Sequence, residues 1–230
     1  MEIAARLSEA GKEYITGGST IVALQPTNIE FRTGEITLLV GPSGSGKTTL
    51  LSLLGSVIYP TMGKVWVGDT CINDLSEKEL ANLRLQHIGF VFQGFNLLAP
   101  LNALENVMEP LLLQGLKRKE ARRRAMELII RFGMEDRINS LPRNLSGGQQ
   151  QRIAISRSLV TNPKLILCDE PTASLDHKSA KMVMEILSQL SLENKAVIVV
   201  THDVRLKKYA NRTIYVSEGR ISETTIEDDF

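Results

Sequence analysis

Ile36-Thr37-Leu38-Leu39-Val40-Gly41-Pro42-Ser43-Gly44-Ser45-Gly46-Lys47-Thr48 is the stretch on which the fold turns. Its first five residues form a nearly continuous apolar run, as expected of a strand buried on both faces of a parallel sheet. The next eight fit G-x-x-x-x-G-K-[ST], a loop that wraps the phosphates of a nucleoside triphosphate. The glycines let the backbone come close, with N–H groups pointing inward, and the following helix adds its positive end. Lys47 is placed to reach the β- and γ-phosphates, the Thr48 hydroxyl to bind Mg²⁺, and Thr49 to sit in the same cradle. A Gly-rich turn with a chance lysine is the bland alternative. Its position between a buried strand and a helix (expected over Lys47–Val57, before Pro60) argues against it.

Outward from this stretch the pattern alternates. Short strands are expected at Ile21–Leu24, Asn28–Phe31 and Lys64–Val67, bounded by Gly17-Gly18, Gly34-Glu35 and Gly68-Asp69. Ser76-Glu77-Lys78-Glu79 is a capping box, with Leu75 and Leu80 spaced as a hydrophobic staple, so a helix starts there. After the strand Ile88–Phe92, from Gln93 to about Leu159, helical periodicity takes over. Ala121, Ala125, Leu128, Ile129 and Phe132 share one face, and Gly133 stands at the C-terminal cap. Parallel-strand runs return at Leu165–Cys168 and Ala196–Thr201, separated by a helix bearing Met182, Val183, Ile186, Leu187 and Leu190. Such alternation argues an α/β core with a parallel sheet. The acidic tail Glu223–Phe230 is expected to fray.

The bulk figures bound the function. A chain of 230 residues, 43% hydrophobic and 23% charged, suits one large domain or a core with a small subdomain. Its net charge of +1 supplies no field for nucleic acid, so a nucleic-acid partner is not expected. Apolar runs are strand-sized, far below the ~20 residues of a spanning helix. The first residues lack a signal pattern, and Cys71 and Cys168 suggest neither a disulfide framework nor a metal site. A cytosolic chain, reaching any membrane through a partner, is the expectation.

Two more motifs narrow this. Asp169 and Glu170 end the apolar strand Leu165–Cys168, where ligands of open parallel sheets bind. Asp169 is expected to hold Mg²⁺, as the acid ending this strand does in phosphate-loop enzymes. Leu145-Ser146-Gly147-Gly148-Gln149 opens a second helix, and a serine with two glycines at a helix start makes another anion site. Together with the loop these motifs resemble the ATP-binding subunit of ABC transporters, and the resemblance runs from about Tyr14 to about Gly219.

The resemblance implies a fold: a RecA-like phosphate-loop NTPase core, an N-terminal antiparallel β subdomain and an inserted α-helical subdomain. Residues 1–230 form a single ABC ATPase domain in that reading, with the core over 1–92 and 160–230 and the helical signature subdomain over 93–159. It also implies roles. Glu170 is the general base for the attacking water, Gln93 touches Mg²⁺ or that water, and His202 contacts the γ-phosphate. Tyr14 stacks on adenine, with a core tyrosine as the rival reading. Ser146, Gly147, Gly148, Gln149 and Asp176 meet the ATP of a partner chain in a head-to-tail homodimer, although Asp176 also fits an ordinary helix N-cap.

Phe95-Asn96-Leu97-Leu98-Ala99-Pro100-Leu101 is apolar for a loop, which suggests a groove for a permease helix or a plug in the subdomain core. The basic run Lys117-Arg118-Lys119 and Arg122-Arg123-Arg124 reads as a solvated helix face, with contact to anionic lipid as the alternative. Within the family, Phe92–Leu98, Leu104-Glu105-Asn106-Val107 and Asp169–Asp176 look like the lipoprotein-release and macrolide-export branch, and the bacitracin-resistance type of peptide transporter is similar. That branch implies a membrane permease, an extracytoplasmic accessory protein and a place on the inner face of the cell membrane. An importer ATPase and a soluble non-transport ABC ATPase are the alternatives.

Overall fold

The computed structural model of the protein describes residues 1–223; the rest of the acidic tail lies outside the described residues. In chain order the elements are β1 (Ile3–Thr16), β2 (Ser19–Arg32), β3 (Ile36–Val40), α1 (Lys47–Leu54), β4 (Met62–Val67) and β5 (Thr70–Cys71). Then follow α2 (Glu77–His87), β6 (Ile88–Phe92), α3 (Ala103–Leu113), α4 (Arg118–Arg131) and α5 (Gly147–Leu159). The chain continues through β7 (Leu165–Asp169), α6 (His177–Leu192), β8 (Ala196–Val200), β9 (Arg212–Ser217) and β10 (Arg220–Ser222).

Two sheets result. A six-stranded sheet runs β10-β9-β3-β8-β7-β6, parallel from β9 through β6, with β10 antiparallel at one edge. Its central strand β3 is buried along its whole length, as its apolar run predicted. A four-stranded antiparallel sheet runs β2-β1-β4-β5. Helix α1 lies between the two sheets: Leu50, Leu53 and Leu54 join Leu39 and Ile198 of one and Leu7, Phe31 and Val65 of the other in one core. The opposite face of the parallel sheet buries Val183, Met184, Leu187 and Leu190 of α6. A third core within the helical segment holds Val107, Leu111, Ala121, Ala125 and Ile129. Helix α5 joins two cores, with Ile155 and Leu159 under the sheet and Ile153 among the helices.

Several local expectations change. The strand β1 was not anticipated, and Ile21–Leu24 with Asn28–Phe31 prove to be parts of one long strand, β2. Register shifts between Leu7 and Lys12 and the missing N–H of Pro26 break the alternation that betrays a strand. Gly17-Gly18 is the turn joining β1 to β2, and both glycines have positive φ. Helix α1 stops at Leu54, short of Val57, because Ser56 turns into the left-handed region at φ 53°. On α6, Met184 is buried whereas Met182 stays 37% exposed. The Ser76–Glu79 capping box and the Gly133 turn (φ 63°) form as expected. A second capping box, Asn102–Glu105, starts α3 and had the same S/T/D/N-x-x-E signature, obscured by Pro110 inside the helix.

Candidate functional site

The phosphate loop joins β3 to α1, and its glycines are required by their neighbours. A Cβ on Gly41 would lie 2.0 Å from the Val216 carbonyl, and one on Gly46 would lie 2.4 Å from the Ala23 carbonyl. Gly46 also has φ 110° and occupies the N-cap of α1 with no side-chain cap, so the first turn's N–H groups face the loop. Pro42, Ser43 and Gly44 form the exposed rim, Ser45 is buried, and Thr48 is exposed on the first turn with Thr49 half-buried beside it. Lys47 is buried, and its Nζ donates to the carbonyls of Gly41 (2.8 Å) and Pro42 (2.7 Å). Burial pushes its pKa below the usual lysine value, and the nearby Glu170 and Asp169 carboxylates oppose that.

Tyr14 stands on β1 opposite Ile21, on the hairpin whose Ala23 presses on the loop. It is 41% exposed and so is no core tyrosine; Lys12 Nζ sits 5.2 Å from its ring centroid.

Sheet register brings the acids to the loop. Phe92 pairs with Asp169, Asp169 with Val200, and Val200 with Leu39, so Gln93, Glu170, Thr201 and Val40 follow one another along the carboxyl edge. Glu170 has φ 47°, a conformation uncommon for a residue with a Cβ, and its N–H donates to the Val200 carbonyl. One carboxylate oxygen lies 2.7 Å from His202 Nδ1 and accepts from the His202 N–H at 3.1 Å. The other accepts from Thr201 Oγ1 at 3.3 Å. His202 itself is largely exposed, with its ring at the mouth of the site. Burial first, and Glu170 second, raise the Asp169 pKa above the usual aspartate value, while Lys47 pulls it down. Gln93 is exposed beyond β6.

The second Gly-rich segment is built differently. Ser146 is the N-cap of α5: its Oγ accepts from the Gln149 N–H at 3.3 Å, while the Gln149 side chain accepts from the Ser146 N–H at 2.9 Å. Its glycines meet the start of α6 in the same chain. A Cβ on Gly148 would lie 2.5 Å from Ser179 Oγ, and one on Gly147 would touch Ser174 and Leu175. Asp176 caps α6, accepting from the Ser179 N–H at 3.0 Å, so the ordinary N-cap reading of this residue holds within the chain.

Three residues given no role from sequence, one of them (Asn106) seen there only inside a family motif, tie these parts together. Arg157 of α5 donates to the carbonyls of Asn96 (2.7 Å) and Phe95 (3.1 Å), both at positive φ in the loop after Gln93. Buried Asn106 bonds Leu98 through both N–H and carbonyl and also reaches the Leu101 carbonyl. Buried Gln151 donates to the Pro171 carbonyl at 2.8 Å, next to Glu170. An arginine among the apolar positions of α5 was the one visible signal. In the Phe95–Leu101 loop, Leu97 packs into the helical core whereas Leu98 is 43% exposed. A groove opens between the helical segment and the sheet, walled by Leu85, Phe90, Phe92, Pro110, Leu113 and Arg157, and Arg157 ties it to the loop through Phe95 and Asn96.

Comparison with known proteins agrees with this geometry. The family profile described as ABC transporter matches residues 24–173. The chain is 42% identical over 221 residues to the ABC transporter ATP-binding protein MJ0796 of Methanocaldococcus jannaschii, covering 94% of each. It is 42% identical over 210 residues to the macrolide export ATP-binding/permease protein MacB of Bartonella quintana, covering 91% of this chain but 32% of that protein. The chain thus spans about a third of the length of such macrolide export relatives. The dimeric structure of a post-hydrolysis state of the ATP-binding cassette MJ0796, bound to ADP and Pi, superposes with a TM-score of 0.87 at 40% identity. It covers 95% of this chain and 98% of that one.

Proposed function

The chain belongs to the ABC transporter family, and on that premise we propose that it powers export or extraction through a separate membrane permease. Its own chemistry is the binding and hydrolysis of ATP. The observation that carries the reading is the convergence of the Gly41–Thr48 loop, Asp169, Glu170, Gln93 and His202 on one edge of the parallel sheet.

The residues divide the work of phosphoryl transfer, which is mostly positioning and neutralisation of charge. The loop amides and Lys47 hold the phosphates, and the Lys47 ammonium exchanges its bonds to Gly41 and Pro42 for phosphate oxygens. Tyr14 faces the adenine from the hairpin. Glu170 accepts the proton of the attacking water, with Thr201 and His202 fixing its carboxylate. The Thr48 hydroxyl, the Asp169 carboxylate and the Gln93 amide oxygen are hard oxygen donors, as Mg²⁺ requires. When bound, the ion neutralises charge on the β- and γ-phosphates.

Ser146, Gly147, Gly148, Gln149 and Asp176 meet the ATP of a second copy, which gives a two-fold sandwich with two sites. A solved relative of the same length is dimeric, which supports this arrangement. Residues 93–159 act as a helical arm on the 1–92 and 160–230 core. The apolar groove bounded by Phe92, Leu113 and Arg157, close to the loop after Gln93, takes a short helix of the permease and places the subunit on the inner face of the membrane. An extracytoplasmic accessory protein completes the assembly. Among the described residues no helix is long and apolar enough to cross a membrane.

The test is Glu170→Gln, which keeps shape and removes the base. Hydrolysis should fall by ~10²–10⁴-fold while ATP still binds. ATP, and not ADP, should then shift that variant from monomer to dimer on size exclusion. Near-wild-type turnover by a clean preparation would remove Glu170 from its role, and a nucleotide-independent dimer would contradict the sandwich.

A further inference from the structure

The helix α4 breaks two local rules at once. Residues 117–131 hold seven basic and two acidic side chains, a surplus larger than the +1 of the whole chain, so the remainder is net acidic. The surplus is concentrated at the helix start, where the macrodipole favours acids: Lys117 occupies the N-cap without a side-chain cap, followed by Arg118 and Lys119. Arg118 pairs with Glu105 of α3, but Lys117 and Lys119 do nothing for the helix.

Part of the charge is spoken for. Arg123 pairs with Glu120 and Glu127, Arg124 with Glu120, and Arg131 with Glu193. Lys117, Lys119 and Arg122 are exposed and have no carboxylate partner among the described residues. Apolar side chains continue the same surface, since Arg122, Met126 and Ile130 follow one another at i, i+4, i+8, and Ile130 is 55% exposed. At the other end of the α3–α4 turn, Leu113 is 67% exposed on the wall of the groove described above.

We propose that the Lys117–Ile130 face of α4 rests on an anionic lipid surface. Free cations beside exposed Ile130 and half-buried Met126 on one helix are the composition that binds in the plane of an anionic interface. Residues 117–131 include no aromatic side chain on which a nucleic-acid base could stack. Lys117, Lys119 and Arg122 border a shallow concavity whose lining includes Met126 and Ile130. An acidic peptide would pair with the cations and leave Ile130 in water, whereas a lipid interface takes both. The inference does not depend on the permease, because it concerns the isolated chain.

The experiment is co-sedimentation of the chain with vesicles of pure phosphatidylcholine, and with vesicles in which about a third of the lipid is phosphatidylglycerol. Binding is expected to the anionic vesicles only, weakening as salt is raised. A basic residue near such a surface contributes roughly fivefold, so K117Q/K119Q/R122Q together should weaken binding about 100-fold. ATP turnover of that variant in solution should be unchanged. A matched control, K64Q/K78Q/K178Q, removes three exposed lysines elsewhere and should leave binding intact. Equal loss in the control, equal binding to neutral vesicles, or no vesicle binding at all would overturn the proposal. In the last case, capture of the wild-type face by an acidic peptide and not by the triple variant would assign it to a protein partner instead.

Discussion

The two helix starts proposed to meet phosphate are prepared in opposite ways. Helix α1 begins at Gly46, which has no side chain to offer, so the first-turn amides stay available and the lysine that follows is already inside the loop. Helix α5 begins at Ser146, whose hydroxyl and backbone N–H are both engaged by Gln149 in a closed capping box. The first site is held open by backbone geometry within a few residues. The second is a finished helix end, and a phosphate arriving there must replace a bond the chain already makes. This difference fits the proposed division, in which the first site binds within the subunit and the second meets a ligand delivered by a partner.

The sharpest way to break this contrast is to put a methyl group in each site. Gly46→Ala places a Cβ against a backbone carbonyl at a left-handed φ, so the loop must distort. ATP affinity, read by titration calorimetry, should fall by about 100-fold or more as phosphate contacts are lost. Gly148→Ala meets Ser179 at its hydroxyl (2.5 Å) and Cβ (3.0 Å), so the start of α6 must give slightly, away from the phosphate loop, and the monomer should keep its ATP affinity. Loss of affinity in both variants would show that the two sites are not separable.

Ser146→Arg, made in the Glu170→Gln background, tests the second site alone. Monomer fold and ATP affinity should survive, and the ATP-dependent dimer should disappear from size exclusion. A surviving dimer would place the interface elsewhere.

A smaller effect belongs to the cap itself. Ser146→Ala removes the hydroxyl that accepts from Gln149 and should cost about 1 kcal/mol, lowering Tm by about 2–4 °C. Ser146→Gly should cost only a few tenths. A Tm unchanged by alanine would mean that the capping box contributes nothing in solution.

The smallest shift has the opposite sign. The Asp169 pKa is raised in the fold by burial and by Glu170, so the folded state holds its proton more tightly than the unfolded chain. Its contribution to stability is thus complete below the unfolded pKa and lost as pH rises through the folded one. Asp169→Asn should therefore raise Tm at neutral pH and leave it unchanged well below the ordinary aspartate pKa. A lower Tm at neutral pH would show that the carboxylate is net stabilising through Lys47.

These effects trace back to what each scale of structure decides. The β3–loop–α1 unit, the Ser76 and Ser146 helix starts, the α4 face ending at Gly133 and the strand leading to Asp169 depend on neighbours within about one or two turns, so their signals lie in the local residues. The same locality fails for β1 and β2. Their strand character comes from pairing with each other and with β4 across bulges that scramble the period of two. The contact of Glu170 with His202 depends on β7 lying beside β8, and Arg157 meets the Gln93 loop only because α5 packs between two cores. Such contacts join residues 32 and 61 positions apart, and no local rule of periodicity or capping reaches that far. The chemistry was therefore determined by motif. The orientation of the acid, the clamp on the loop and which of the α4 cations find a carboxylate were decided only when burial of separate apolar faces drew the sheets and helices together.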